Sequence, residues 1–116
     1  MATIKVSDKW MGLELSVFLF KDGEVFNAYC PELDLVGCDY TSEGARKSFD
    51  VALSDYLEYT LEKGTLEQDL LEHGWRKTKS GDVTKPSAST MLRRSRQFRS
   101  VLGMSEFSKY SVPIKI

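Results

Sequence analysis

Apolar side chains recur at Leu13, Leu15, Val17 and Leu19, with Glu14 and Ser16 between the first of them and Phe18 and Phe20 filling the later gaps. A period of two predicts a β-strand. Lys21-Asp22-Gly23 follows, and then a second β-rich run from Glu24 to Cys30. An Asp-Gly pair between two such runs predicts a tight hairpin. A further turn at Pro31–Asp34 leads into Leu35–Tyr40, which completes a three-stranded antiparallel meander.

A two-residue turn at Asp22-Gly23 pairs Lys21 with Glu24, Leu19 with Phe26, Val17 with Ala28 and Leu15 with Cys30. The second turn sets Cys30 opposite Leu35 and Ala28 opposite Gly37. One face then carries Leu13, Leu15, Val17, Leu19, Phe26, Ala28, Cys30 and Leu35, and the adjacent Ala28 and Gly37 leave room for a helix backbone to come close. The other face carries Phe18, Phe20, Val25, Tyr29, Val36 and Cys38, which is too apolar to face water. Either the C-terminal part of the chain or a second subunit is expected to cover it. Phe18, Phe20, Val25, Tyr29 and Val36 are therefore candidate oligomer or partner contacts. Cys30 and Cys38 fall on opposite faces, which argues against a disulfide between them.

From Thr41 the spacing changes. Ala45, Phe49, Ala52, Leu53, Tyr56 and Leu57 follow a helical period with charges between them, Thr41 is a fitting N-cap, Glu43 suits the first turn, and Gly64 is placed to stop the helix. Thr65-Leu66-Glu67-Gln68 has the spacing of a capping box and opens a short second helix that Gly74 closes before Trp75. Residues 75–83 predict a hairpin around Ser80-Gly81-Asp82, and 84–90 a loop around Pro86. Met91, Leu92, Ser95, Phe98, Val101 and Leu102 predict one basic amphipathic helix with Arg93, Arg94, Arg96 and Arg99 between them. Residues 110–116 alternate like a closing strand whose Pro113 points to a sheet edge. The fold class expected is α+β in one domain over 1–116, with a core at 13–75 and an extension at 76–116.

Charge adds a feature that the period does not show. Residues 1–74 carry −9 and residues 75–116 carry +8, which together give the net −1 of the chain. The four arginines of the basic helix are candidates for nucleic-acid contacts or for pairing with the acidic part of the same or a sister chain, and the second is ranked first. No basic N-terminal segment leads into an apolar run, and the two cysteines make no CxxC pair, so a cytoplasmic protein with reduced thiols is expected.

Catalytic chemistry finds little support. The one histidine, His73, stands at a helix C-terminus, where a capping role is favoured. A nucleophilic Cys30 or Cys38 would need that histidine beside a strand. Glu32 with Asp34, or Asp50 with Asp55, are pairs that fifteen carboxylates in 74 residues produce by chance, and they read as a solvated acidic face. The glycines are scattered singly and the metal-binding spacings are missing, so no cofactor and no metal are expected, and the chain reads as a non-enzyme.

Asn27-Ala28-Tyr29-Cys30-Pro31-Glu32-Leu33-Asp34-Leu35-Val36-Gly37, followed by Tyr40-Thr41-Ser42-Glu43-Gly44-Ala45, resembles the HicB-like antitoxin family in its A-Y-x-P-E-L-x-x-x-G strand–turn–strand and its T-x-E-E-A helix start. The resemblance runs on through Leu57-Glu58-Tyr59 and Thr65-Leu66 to Gly74-Trp75, covering roughly residues 13 to 75. It implies a β-β-β-α unit of partial ribonuclease-H-like fold without the catalytic carboxylates, and a partner: a small HicA-like toxin that cleaves messenger RNA and is masked by the antitoxin. Gly44 stands where the family has a second Glu, which removes a capping-box partner. The tail after Trp75, read as one basic helix and a strand, departs from the DNA-binding tails of the family. The expected function is thus an antitoxin-type binding protein of a toxin–antitoxin system. The alternative is a nucleic-acid-binding or solitary regulatory protein using helix 91–101. A homodimer or higher oligomer is expected in either case.

Overall fold

The structure, a computed structural model, describes residues 14–81 and 83–114. Leu13, Asp82, Lys115 and Ile116, expected in the first strand, a turn and the last strand, lie outside the described residues. The fold is α+β. Strands β1 (Glu14–Asp22), β2 (Val25–Cys30) and β3 (Leu35–Asp39) form the meander, and α1 (Ser42–Lys63) and α2 (Leu66–Glu72) follow. The remainder of the chain forms β4 (Arg76–Lys77), β5 (Val83–Thr84), α3 (Ala88–Arg94), α4 (Arg96–Leu102) and β6 (Ser108–Pro113). The main sheet has the order β3-β2-β1-β6, antiparallel throughout, while β4 and β5 form a separate small hairpin.

The first hairpin is shifted from the expected register. Asp22 pairs with Val25 and Leu19 with Ala28, so Gly23 and Glu24 are the central turn residues. Gly23 has φ +63° while Glu24 keeps a negative φ, the arrangement of a type II′ turn, whereas an Asp22-Gly23 turn of type I′ would have forced the aspartate to a positive φ. The displacement is two residues, and an even slip leaves every side chain on its face. The β2–β3 register is the expected one, with Cys30 opposite Leu35 and Ala28 opposite Gly37.

Both faces are covered. On one, Leu15, Val17, Leu19, Ala28 and Cys30 pack with Ala45, Phe49, Leu53 and Leu57 of α1 and with Leu66, Leu70, Trp75 and Val83. The close approach comes at Gly37, where a Cβ would stand 2.2 Å from the Phe49 amide nitrogen and 2.6 Å from its Cα. Thr41 Oγ1 accepts from the Gly44 N–H at 3.0 Å to start α1, and Gly64, at φ +68°, ends it as Thr65 N–H donates to Thr60 O and Gly64 N–H to Leu61 O. The Asp39 carboxylate lies where a Gly44 side chain would project, so the N-terminal turn of α1 has an acidic group despite the missing glutamate. The T-x-x-Q capping box does not form. Thr65 makes no side-chain cap, and Gln68 Nε2 donates to Glu72 Oε1 instead.

The second face is covered by the chain itself. Phe18, Phe20 and Tyr29 are buried under Phe98 and Val101 of α4, with Met91, Leu92 and Met104 beside them. Phe98 meets Phe18 edge-on at 5.4 Å, and Phe107 meets the same ring at 5.8 Å. The predicted single basic helix is divided at Ser95, which has extended backbone (φ −116°, ψ 112°) and serves as N-cap of α4 by accepting from the Phe98 N–H at 3.0 Å. Arg99 Nη1 reaches back to the Leu92 carbonyl at 2.5 Å, placing a cation at the C-terminal end of α3. The break holds Phe98 over the sheet.

Candidate partner-binding surfaces

The Pro31–Asp34 turn that carries most of the family resemblance is a structural knot. Glu32 is 2% exposed. Its Oε1 accepts from the Ser16 N–H at 2.5 Å and from the Cys30 thiol at 3.7 Å, and its Oε2 faces Lys85 Nζ at 3.4 Å. Lys85 also donates to the Glu14 carbonyl at 2.7 Å, and the Trp75 indole N–H donates to the Glu32 carbonyl at 2.8 Å. A buried carboxylate with a cation and two donors is satisfied where it stands. Glu32 is therefore no part of a solvated face and no partner to Asp34 in acid–base chemistry. Asp34, at φ +55°, instead accepts from the Tyr29 hydroxyl at 3.2 Å.

Burial drives the Cys30 thiol well above its ordinary pKa, with the Glu32 charge adding to it, so this sulfur stays protonated and inert. Cys38 is exposed on the other side of the sheet, and both cysteines are free. His73 Nδ1 lies 2.8 Å from the Asp69 carbonyl and 3.3 Å from its carboxylate, a contact within the last turn of α2. No group of three His, Cys, Asp or Glu side chains among the described residues is placed to hold a metal, and no described helix is long and apolar enough to cross a membrane.

The arginines form no ion pair with a carboxylate among the described residues, so the expected pairing with the acidic part of the same chain is not seen there. Arg93 Nε donates to the Ser89 carbonyl at 3.4 Å, Arg94 to the Glu72 carbonyl, and Arg99 to Leu92 and Arg93 carbonyls. Arg94 and Arg99 thus reach the C-terminal ends of α2 and α3, Arg93 bonds within its own helix, and all four arginines remain exposed. Arg96 and Arg94 border a cleft of about 320 Å³ with Asp34 and His73.

The candidate partner contacts on the sheet divide. Phe18, Phe20 and Tyr29 are beneath α4, Val25 is half-buried, and Val36 is 53% exposed. The apolar face that motivated an oligomer is thus largely closed by the chain's own arm.

A different surface combines exposure with unbalanced charge. From Ser48 to Glu62, α1 has four carboxylates, Asp50, Asp55, Glu58 and Glu62, and no lysine or arginine. All four are exposed, and among the described residues none is in a salt bridge. Val51 and Tyr59 emerge among them, 60% and 62% exposed. Residues 51, 55, 58, 59 and 62 fall on one helical stripe. Glu58 and Glu62 are a like-charge pair one turn apart at the C-terminal end of the helix, where the macrodipole is already negative, and each effect costs a few tenths of a kcal/mol. Two large apolar side chains beside three carboxylates that no described cation pairs with make a surface suited to a cationic partner with an apolar centre.

The fold is thus a four-stranded antiparallel sheet held between one long helix and a two-helix arm. Comparison of the chain with protein-family models, with characterised proteins and with solved structures found no match.

Proposed function

We propose that the chain is an antitoxin-type binding protein whose acidic α1 stripe masks a small basic protein, an RNA-cleaving toxin of the HicA kind. The observation that carries this reading is the stripe itself, in which Val51 and Tyr59 stand in water among three carboxylates, Asp55, Glu58 and Glu62, none of them in a salt bridge among the described residues. The Asn27–Ala45 resemblance supplies the class of partner. A cationic surface over α1 would relieve the Glu58–Glu62 repulsion and withdraw Val51 and Tyr59 from water, and its binding would weaken with salt.

The test is affinity isolation of the tagged chain from its host, beside the exposed-position variant Asp55→Lys, Glu58→Lys, Glu62→Lys. A small basic protein should co-purify in fixed ratio, dissociate at high salt and be missing from the variant. Once released, it should cleave RNA and be silenced when the chain is added back. A captured protein without that activity, or one retained equally by the variant, refutes the reading.

A second reading is nucleic-acid binding through the arm, and it draws on the fact that Arg93, Arg94, Arg96 and Arg99 are exposed and unmatched by carboxylates among the described residues. Replacing Arg93 and Arg96 with Gln would then abolish a salt-sensitive mobility shift of DNA or RNA without changing the melting temperature.

A further inference from the structure

We propose that the outer edge of β6 pairs antiparallel with β6 of a second copy of this chain, about a two-fold axis at Ser111, joining two four-stranded sheets into one. The two edges of the sheet differ. The β3 edge is stoppered from within, since the Cys38 N–H donates to Ser48 Oγ of α1 at 3.2 Å. Helix α1 therefore guards that side.

Among the described residues the β6 edge has no such cover, and its hydrogen-bonding parity follows from the hairpin at the other end of β1. A two-residue hairpin closes on a hydrogen-bonded pair, here Asp22 with Val25, so Asp22, Phe20 and Phe18 turn their amides to β2, and Leu19, Val17 and Leu15 turn theirs to β6. Ser16, next in the first set, bears this out, because its N–H leaves the β6 side and finds the Glu32 carboxylate. Register then assigns Ser108, Tyr110 and Val112 to bonds with β1, and leaves the backbone groups of Lys109 and Ser111, with the carbonyl of Pro113, directed outward. Unpaired strand edges of this kind are templates for another strand.

The edge is complementary to itself. Antiparallel pairing about Ser111 sets Ser111 opposite its symmetry mate and Lys109 opposite the mate of Pro113. The two Ser111 residues exchange both bonds, and each Lys109 N–H meets a Pro113 carbonyl. The proline has no N–H to give, so the Lys109 carbonyl opposite it keeps no donor from the second copy, and the pair holds by the one bond. Charge agrees with this register. Glu14 is the β1 neighbour of Pro113 on the same face, so Lys109 of one copy lies across a single proline from Glu14 of the other. On the opposite face Tyr110 and Val112 are both half-buried, and Tyr110 of each copy would line up with the mate of Val112. They border a groove of about 510 Å³ between α1 and β6, in which the Tyr110 hydroxyl is buried without a partner among the described residues. This flank is the part of the helix-side layer that the described residues leave unfinished.

Light scattering and sedimentation of the full chain should give twice the 13.2 kDa chain mass in the micromolar range. Ser111→Pro removes an outward N–H and no bond to β1, so it should sediment as a monomer with an unchanged circular dichroism spectrum. Because that substitution risks disturbing the strand, Ser111→Cys in a Cys38→Ser background provides a second arm. Paired Cα atoms about 5.5 Å apart permit a disulfide. Mild oxidation should therefore give a covalent dimer with Ser111→Cys and none with Lys109→Cys, whose mates stand far apart. A monomeric wild type, a dimer that persists in Ser111→Pro with native fold, or equal cross-linking at both positions overturns the proposal.

Discussion

Gly37→Ala is expected to weaken the fold more than any other single methyl group added to the described sheet. Its Cβ would meet Phe49 N at 2.2 Å, Phe49 Cα at 2.6 Å and the Ser48 carbonyl carbon at 2.6 Å, all of them backbone. An ordinary contact begins near 3.4 Å, so α1 must move away from β3 by about 1 Å, and no side chain can rotate to spare it. The helix is fixed at both ends, by the Thr41 cap and by the Gly64 turn, and it carries Ala45, Phe49, Leu53 and Leu57 into the core. A shift therefore loosens the whole row. Overpacking a core usually costs 1–3 kcal/mol, and a backbone clash belongs at the upper end, about 3 kcal/mol. For a chain of this size that is a fall in melting temperature of roughly 10 °C. Urea denaturation should show a lower midpoint at unchanged slope. Gly23→Ala is the control, because nothing lies within 4 Å of its Cβ and only the positive φ opposes it, for about 1 kcal/mol. A loss at Gly37 no larger than that at Gly23 would refute the close-approach argument.

Other substitutions probe the knot and the arm. Trp75→Phe leaves the Glu32 carbonyl without its 2.8 Å donor and shrinks a buried ring, and should cost about 2–3 kcal/mol in denaturant melts. Ser95→Ala removes the α4 cap and the 2.7 Å partner of the Tyr29 hydroxyl, at about 1–2 kcal/mol, and hydrogen exchange should quicken in α4 before it does in β1. Burial lifts the Tyr29 pKa to about 12, with the Ser95 hydrogen bond working against it and the Asp34 charge adding to it. Because the folded value lies above the unfolded value near 10, this contribution to stability is whole below about pH 10 and is lost as pH rises toward 12. Tyr29→Phe should flatten that decline in an alkaline titration followed by tyrosinate absorbance and circular dichroism.

The faces of the meander were legible because alternation is insensitive to an even slip, so a wrong pairing of Leu19 still put Leu19 on the core side. Thr41, Gly64, and the juxtaposed Ala28 and Gly37 each stated a local requirement that the fold meets locally. Ser95 was harder, since it satisfies a continuous helical period, and only its bond to Tyr29, far away in sequence, makes it a break. Glu32 was read as one solvated carboxylate among many, because its burial depends on Lys85 and Trp75, which no local pattern links to it. The arginines looked like a match for the acidic helix by net charge, yet Arg93, Arg94 and Arg99 donate to nearby carbonyls instead. Val51 and Tyr59 were in plain view as apolar positions off the core stripe of α1, and that departure from the amphipathic pattern was the available sign of the surface proposed to bind a partner.

The sheet order also determines when the fold can be finished. β1 is the first described strand, and one of its two neighbours is β6, the last. During synthesis, β1, β2, β3 and α1 can associate as they emerge, since their contacts are close in sequence. Leu15, Val17 and Leu19 must wait for β6 with their outward amides unpaired, and Phe18 and Phe20 must wait for α4. Nascent chains should therefore pass through a stage in which the central strand is itself an edge, exposed and apolar, and a ribosome stalled before Ser108 should hold a species that binds chaperones far more readily than the finished protein.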